Sequence, residues 1–318
     1  MRRACLLGAL ALAPLSAAAS CGAAFCTINT SWDAQGAWLE PGARLDLRYE
    51  SIRQDQPRTG TRDVALGEVP RHHDEVLTEN RNLLGSLDYT FDRDWGVNVL
   101  VPIVYRHHEH IHNHMGAQIP EAWSFTEPGD VRVTARRRLA TTENADAGSI
   151  ATTGVNFGVK LPTGRTDVRN GAGDLAERTL QPGSGTTDAV LGAYYSTYLA
   201  SRNISWFVQG LAQLPLNYRD DYKPGNRVNL DTGLRYDLGD RLGVMLQLNA
   251  LYRASDRGAQ AEPEDSGGKF VFLSPGLSYA FTREVQVYGF VQLPVYQNVT
   301  GVQLVARYAV VVGVNGRF

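Results

Sequence analysis

The last 17 residues, VQLVARYAVVVGVNGRF, restrict what this chain can fold into more than any other segment. Tyr308, Val310, Val312, Val314, Gly316 and Phe318 are apolar or small, while the intervening positions include Gln303, Arg307, Asn315 and Arg317. Strict period-two alternation marks a strand with one apolar face. The pattern recurs along the chain. In 43–54, Leu45, Leu47 and Tyr49 alternate with Arg44, Asp46, Arg48 and Glu50. Comparable stretches lie near 78–91, 95–106, 129–140, 149–162, 187–200, 204–216, 227–239, 241–254, 269–282, 284–297 and 303–318. Each is close to the ~9–11 residues of a tilted membrane-crossing strand, and about twelve of them predict an all-β chain.

The two ends indicate which kind. MRRACLLGALALAPLSAAAS combines two arginines, an apolar run and the small residues Ala17, Ala18 and Ala19, the plan of a secretory signal over 1–20. No later apolar run is long enough for a transmembrane helix. An exported chain of alternating strands that stops on Phe318 is expected to be a transmembrane antiparallel β-barrel of the bacterial outer membrane, over 43–318. Residues 21–42 then form a periplasmic segment before it. Such a chain has outer-membrane lipid and the outer-membrane assembly machinery as partners. Cys5 leaves with the signal, and Cys21 and Cys26 fit a small disulfide loop in an oxidising compartment. Two rivals stand beside that reading: lipidation of Cys21, although Ala18 occupies the position usually held by leucine, and thiolate ligation of a metal.

Loop lengths test the barrel separately. Short turns fall at Asp92–Asp94, Arg202–Asn203, Gly239–Asp240 and Arg283, with a somewhat longer one over 141–148. They alternate with connections at 55–77, 107–128, 163–186, 217–226, 255–268 and 298–302, as periplasmic turns alternate with extracellular loops. Pro102, Pro162, Pro215 and Pro294 recur near the outer ends of strands, where the ladder can lose a donor. Tyr89, Phe91, Trp95, Tyr105, Trp206, Tyr252, Tyr279 and Phe281 are candidates for interfacial aromatic girdles.

The segment 160–196 reads KLPTGRTD, then a glycine-rich stretch, then PGSGTTD running into an alternating strand. It resembles the phenol-degradation (meta-pathway) family of outer-membrane proteins, whose members are loosely described as transporters. The resemblance implies a barrel and transport of a solute. It covers roughly 40 residues closely and transfers no functional residue.

All seven histidines lie in two stretches, His72–His73 and the run RHHEHIHNH holding His107, His108, His110, His112 and His114. Imidazole is the commonest metal ligand at neutral pH, and clustering of this kind points to Zn²⁺, Cu²⁺ or Ni²⁺. If the strand at 95–106 continues, His108, His110, His112 and His114 extend its inward stripe. Pairing about the turn at Arg93 sets residues summing to about 186 opposite one another, placing His114 against His72 and His112 against Asp74. The candidate metal set is therefore His72, His73, Asp74, His107, His108, His110, His112 and His114. Solvated loops, or a pH-titrating gate in which Asp74, Glu75, Glu79 and Glu109 pair with imidazolium, are the competing readings.

Although the net charge is only −2, inward parity collects Arg44, Arg48, Arg132, Arg136, Arg138, Lys160, Arg227, Arg235, Arg241, Arg253 and Arg307 against Asp46, Glu50, Asp88, Asp231 and Asp237. Such a lumen would favour anions unless its charges neutralise one another in a closed plug. Two functions follow. The first is a barrel whose histidine-rich mouth binds a transition metal and takes part in metal handling or transport. The alternative is a passive channel for small organic, including aromatic, molecules. No serine–histidine pairing supports a hydrolase, the segment 22–42 is too short for an exported passenger, and nothing suggests nucleic-acid binding.

Overall fold

In the computed structural model, which describes residues 27–31, 41–70, 73–146 and 148–318, the chain is a closed antiparallel barrel. The first strands are β1 (Gly42–Gly60), β2 (Arg62–Asp63), β3 (His73–Thr90), β4 (Trp95–His114) and β5 (Ala117–Pro128). Next come β6 (Arg132–Asn144), β7 (Ser149–Lys160), β8 (Asp188–Leu199) and β9 (Ile204–Pro215). The wall is completed by β10 (Arg227–Leu238), β11 (Leu242–Arg253), β12 (Gly268–Ala280) and β13 (Val285–Arg317). Ring strands pair with their neighbours in chain order, and β13 returns to β1, where Arg44 faces Arg317. Closure leaves no sheet edge to be satisfied by lipid, which can neither donate nor accept a hydrogen bond.

Eleven strand elements form the ring, with β2 and β5 outside it, paired to β1 and β4. The last element is unusual. A straight strand of 33 residues would run ~110 Å, far beyond a hydrocarbon core ~30 Å thick. It reverses at Gly301, whose φ of +64° suits glycine. Its first half pairs with β12 and its second with β1. β13 thus supplies two staves, and the wall has the twelve that the alternation predicts.

The wall is inside out relative to a soluble core. Leu45, Leu47 and Tyr49 are exposed on the outside of β1, whereas Arg44, Asp46 and Glu50 are buried within. Aromatic pairs mark the short-turn end: Tyr89 with Phe91 at 5.0 Å, Tyr279 with Phe281 at 5.3 Å and Trp95 with Phe157 at 6.2 Å. The long connections 161–187, 216–226 and 254–267 gather at the other end.

One predicted loop is a hairpin. Residues 107–128 belong to the extended β4 and to β5, which pairs with β4 from Ile103–Pro128 to His114–Ala117. β6 takes the lower part of β4, from Trp95 to Leu100. Pro102 sits at the handover between the two partners, and its carbonyl accepts from the Gly129 amide at 2.9 Å. Pro120 and Pro128 hide β5 in the sequence, but on an edge strand their missing donors cost little.

Candidate functional site

Among the described residues, polar chemistry concentrates in the interior of the barrel and on the inner face of the β4–β5 hairpin. Inside, Arg44, Arg48, Arg132, Arg136 and Arg227 line a cavity of about 360 Å³ together with Asp46, Glu50, Asp88 and Asp231. Five arginines against four carboxylates leave a milder positive bias than the parity count suggests. Arg48 bonds Glu50 at 3.0 Å, and Asp46 accepts from the Tyr288 hydroxyl at 2.9 Å. Arg138 and Arg235 are also on the inner face, nearer the turn end, where Arg235 pairs with Asp237 at 2.7 Å. At Arg307 the parity is interrupted: a register shift between Ile52 and Gln54 leaves Arg307 and Tyr308 bulged and exposed, and Arg307 reaches Gln56 at 2.8 Å.

The cavity is shared with residues 27–31 of the N-terminal segment. Asn29 donates its amide to Gln247 Oε1 at 3.0 Å, and Gln247 Nε2 donates back to the Asn29 carbonyl at 2.9 Å. Thr30 accepts from Arg48 and Thr27 from Gln292, both at 2.5 Å. Ile28 packs on Met245, Tyr288, Phe290 and Val311. This inner strap has no signature in the sequence, because a single isoleucine among polar residues looks like linker. Beside it the inner wall is mixed, with Ile52, Leu251, Phe270, Phe272 and Leu304 alongside Gln54, Gln292, Gln297 and Gln303 around a smaller pocket.

At the mouth, the predicted register holds from Thr90–Gly96 up to Leu77–Glu109, all pairs summing to 186. A bulge at Val76 then shifts it by one, so His73 faces His112 and Glu75 faces His110. The expected His112–Asp74 pair is therefore replaced. Asp74 lies opposite Ile111, and its carboxylate accepts from Asn113 at 2.9 Å on the other face. His107 also points outward, to Ser124 at 2.6 Å and Glu109 at 2.9 Å, and His114 is exposed at the tip. His72, Cys21 and Cys26 lie outside the described residues.

What remains inside is compact. His108 Nε2 is 3.3 Å from His110 Nδ1 and 3.4 Å from Glu75 Oε2. Donor atoms of these three lie within 4.8 Å of one another, so the group could hold a metal ion. All three are buried, His108 completely. Thr78 Oγ1 contacts His108 Nδ1 at 3.0 Å, and Glu121 on β5 contacts His110 Nε2 at 2.9 Å. His73 stands beside them, its ring 4.6 Å from that of His110. Burial pushes the pKa of His108 well below the ordinary histidine value, with His110 and Arg106 adding to the effect. Burial lowers His110 too, against the opposing pull of Glu121. Both shifts favour the neutral rings.

The loop 161–187 covers this face. Trp123 packs on Ala176 and Leu180 and donates to the Asp174 carbonyl at 3.0 Å. Arg106 donates to the Leu180 carbonyl at 2.6 Å, and Glu177 Oε1 comes within 3.5 Å of His110 Nδ1. The LPTG and PGSGTTD stretches hold the two ends of the loop together. Lys160 bridges Asp130 at 2.8 Å and Asp188 at 3.2 Å, while Asp130 also accepts from the Ser184 amide at 2.9 Å. Gly164 and Gly183 meet backbone to backbone, where any Cβ would collide. Sequence reasoning missed Glu121, Trp123 and Glu177 as members of the mouth. Only the period-two run Ile119, Glu121, Trp123, Phe125 could have signalled the first two.

A closed barrel with an apolar belt, aromatic girdles and a charged interior is an outer-membrane β-barrel. The chain belongs to the family described as "Putative MetA-pathway of phenol degradation", whose model matches residues 88–305. Among solved structures, it is similar to the COG4313 outer membrane channel from Pseudomonas putida F1, with a TM-score of 0.64 and 12% identity over 89% of this chain and 97% of that one. Weaker likenesses include the TodX deltaS2S3 mutant monoaromatic hydrocarbon channel (TM-score 0.45, 9% identity, 87% and 91% covered). The NanC porin is comparable (TM-score 0.44, 11% identity, 86% and 100% covered). No curated protein matches the sequence.

Proposed function

We propose that the barrel is a passive channel through which small organic solutes, aromatic acids and phenols foremost, enter across the outer membrane. The observation that carries this reading is the juxtaposition of two inner surfaces. The pocket of Ile52, Leu251, Phe270, Phe272 and Leu304, edged by Gln54, Gln292, Gln297 and Gln303, meets the cavity bearing Arg44, Arg48, Arg132, Arg136 and Arg227 where Gln292 bonds Thr27. A flat ring with a phenolic or carboxylate group suits both, the ring against the phenylalanines and the charge near the guanidiniums. The family's phenol-degradation description supports the same solute class. It ranks this reading above metal transport, since an arginine-lined lumen disfavours bare metal cations.

Residues 27–31 narrow the path, so flux through the native barrel is slow and selective rather than porin-like. Proteoliposome flux tests the reading. Benzoate and phenol are expected to enter several-fold faster than a sugar of equal size and than an organic cation. Equal rates for all four solutes, or none above protein-free vesicles, would overturn it.

A further inference from the structure

The mouth cluster belongs to neither the wall nor the lumen path. Its side chains are buried where the β4–β5 hairpin is overlaid by loop 161–187. We propose that Glu75, His108 and His110 form a tetrahedral zinc-class metal site that fastens this loop to the hairpin.

Geometry is the first support. Bonds of ~2.0–2.1 Å around a tetrahedral ion put its donors about 3.3–3.4 Å apart. The His108–His110 and His108–Glu75 separations are 3.3 and 3.4 Å. Histidine nitrogens at such a distance make a poor hydrogen bond but a good coordination edge. The outer partners are the second support. A ligating histidine usually engages its other nitrogen with a carboxylate, carbonyl or hydroxyl. His110 presents Nδ1 inward and gives Nε2 to Glu121 at 2.9 Å; His108 presents Nε2 inward and gives Nδ1 to Thr78 at 3.0 Å. The inward nitrogens thus face one another and Glu75, while the outer partners hold the two rings from behind.

Topology is the third. The Val76 bulge brings Glu75 onto the histidine face, which an unbroken register would deny it. Glu177, 3.5 Å from His110 Nδ1, stands ready as the fourth donor and comes from the loop rather than the hairpin. An ion here joins two segments far apart in sequence, restricting the loop that covers the mouth. Two histidines with carboxylates match Zn²⁺ best among the divalent transition metals. The site is independent of what the lumen carries.

The test is zinc binding to the full-length barrel, folded in detergent, stripped with chelator and titrated against a chromophoric chelator. One equivalent should bind at micromolar or tighter affinity, and zinc should protect loop 161–187 from protease. His110→Ala and Glu75→Gln should each weaken binding at least tenfold, whereas the double variant H107A/H114A should bind as the native barrel does. Heat-modifiable migration on gels reports folding. Should His110→Ala fail that check, Glu177→Gln in the covering loop decides: the proposal requires loss of zinc-dependent protection. Native binding no tighter than that of His110→Ala, binding lost in H107A/H114A instead, or protection unaffected by Glu177→Gln would overturn it.

Discussion

The lower and upper halves of β4 are one strand with one side-chain parity, yet they solve opposite problems. From Val97 to Tyr105 the outward face meets hydrocarbon and is apolar, with Val101 exposed to lipid. From His107 to Asn113 the outward face is polar except for Ile111, and the inward face becomes a buried histidine core beneath loop 161–187. The same alternation therefore encodes a membrane wall below and a small soluble-type fold above. The surroundings, rather than the strand, decide which face needs apolar residues.

The largest break in this comparison should come from Trp123→Ala. Removing the ring that holds Ala176 and Leu180 should cost the mouth about 3–5 kcal/mol. Limited proteolysis should then cut within 161–187 while heat-modifiable migration shows an intact barrel. Next is Val101→Arg, which sets a charge against lipid and should cost ~2–4 kcal/mol in denaturant unfolding from vesicles. Glu109→Arg, eight residues higher on the same face, should change the same measurement by no more than ~0.5 kcal/mol, because there the strand faces water.

Acid should loosen the mouth and spare the wall. The folded pKa values of His108 and His110 are depressed, so their contribution is present above the ordinary histidine range and is lost as pH falls through and below it. Glu75, Glu121, Glu177 and Arg106 face the same rings. Protease sensitivity of 161–187 should rise from pH 7.5 to 5.5 in metal-free protein, with the far-UV strand signal unchanged. The smallest effect is expected from Glu109→Ala, which removes the same exposed contact with His107 without reversing a charge and should stay within a few tenths of a kcal/mol.

The wall was legible because lipid imposes period two on every strand. Even the register between β3 and β4 could be computed from one tight turn. It failed at Val76 and at Arg307–Tyr308, where single-residue bulges reverse which side chains point inward, and nothing in composition announces a bulge. β5 was hidden by Pro120 and Pro128, whose effect depends on its being an edge strand. Glu177 and residues 27–31 were invisible for another reason. Their roles arise from contacts across more than 60 residues of chain, and local pattern carries no trace of them. The histidine clustering drew attention to the end of β4, where His108 and His110 are buried together while His107 and His114 face away, because half of any strand's residues point to the other side.

The channel reading is tested most directly by planar-bilayer conductance of the native barrel beside a Gln247→Ala/Gln292→Ala variant that loosens residues 27–31. Small, weakly anion-selective currents should appear in the native protein and grow several-fold in the variant, with reversal potentials still on the anion side. Silent bilayers with both folded proteins, or cation selectivity in either, would contradict an arginine-lined path narrowed by its own N-terminal strap.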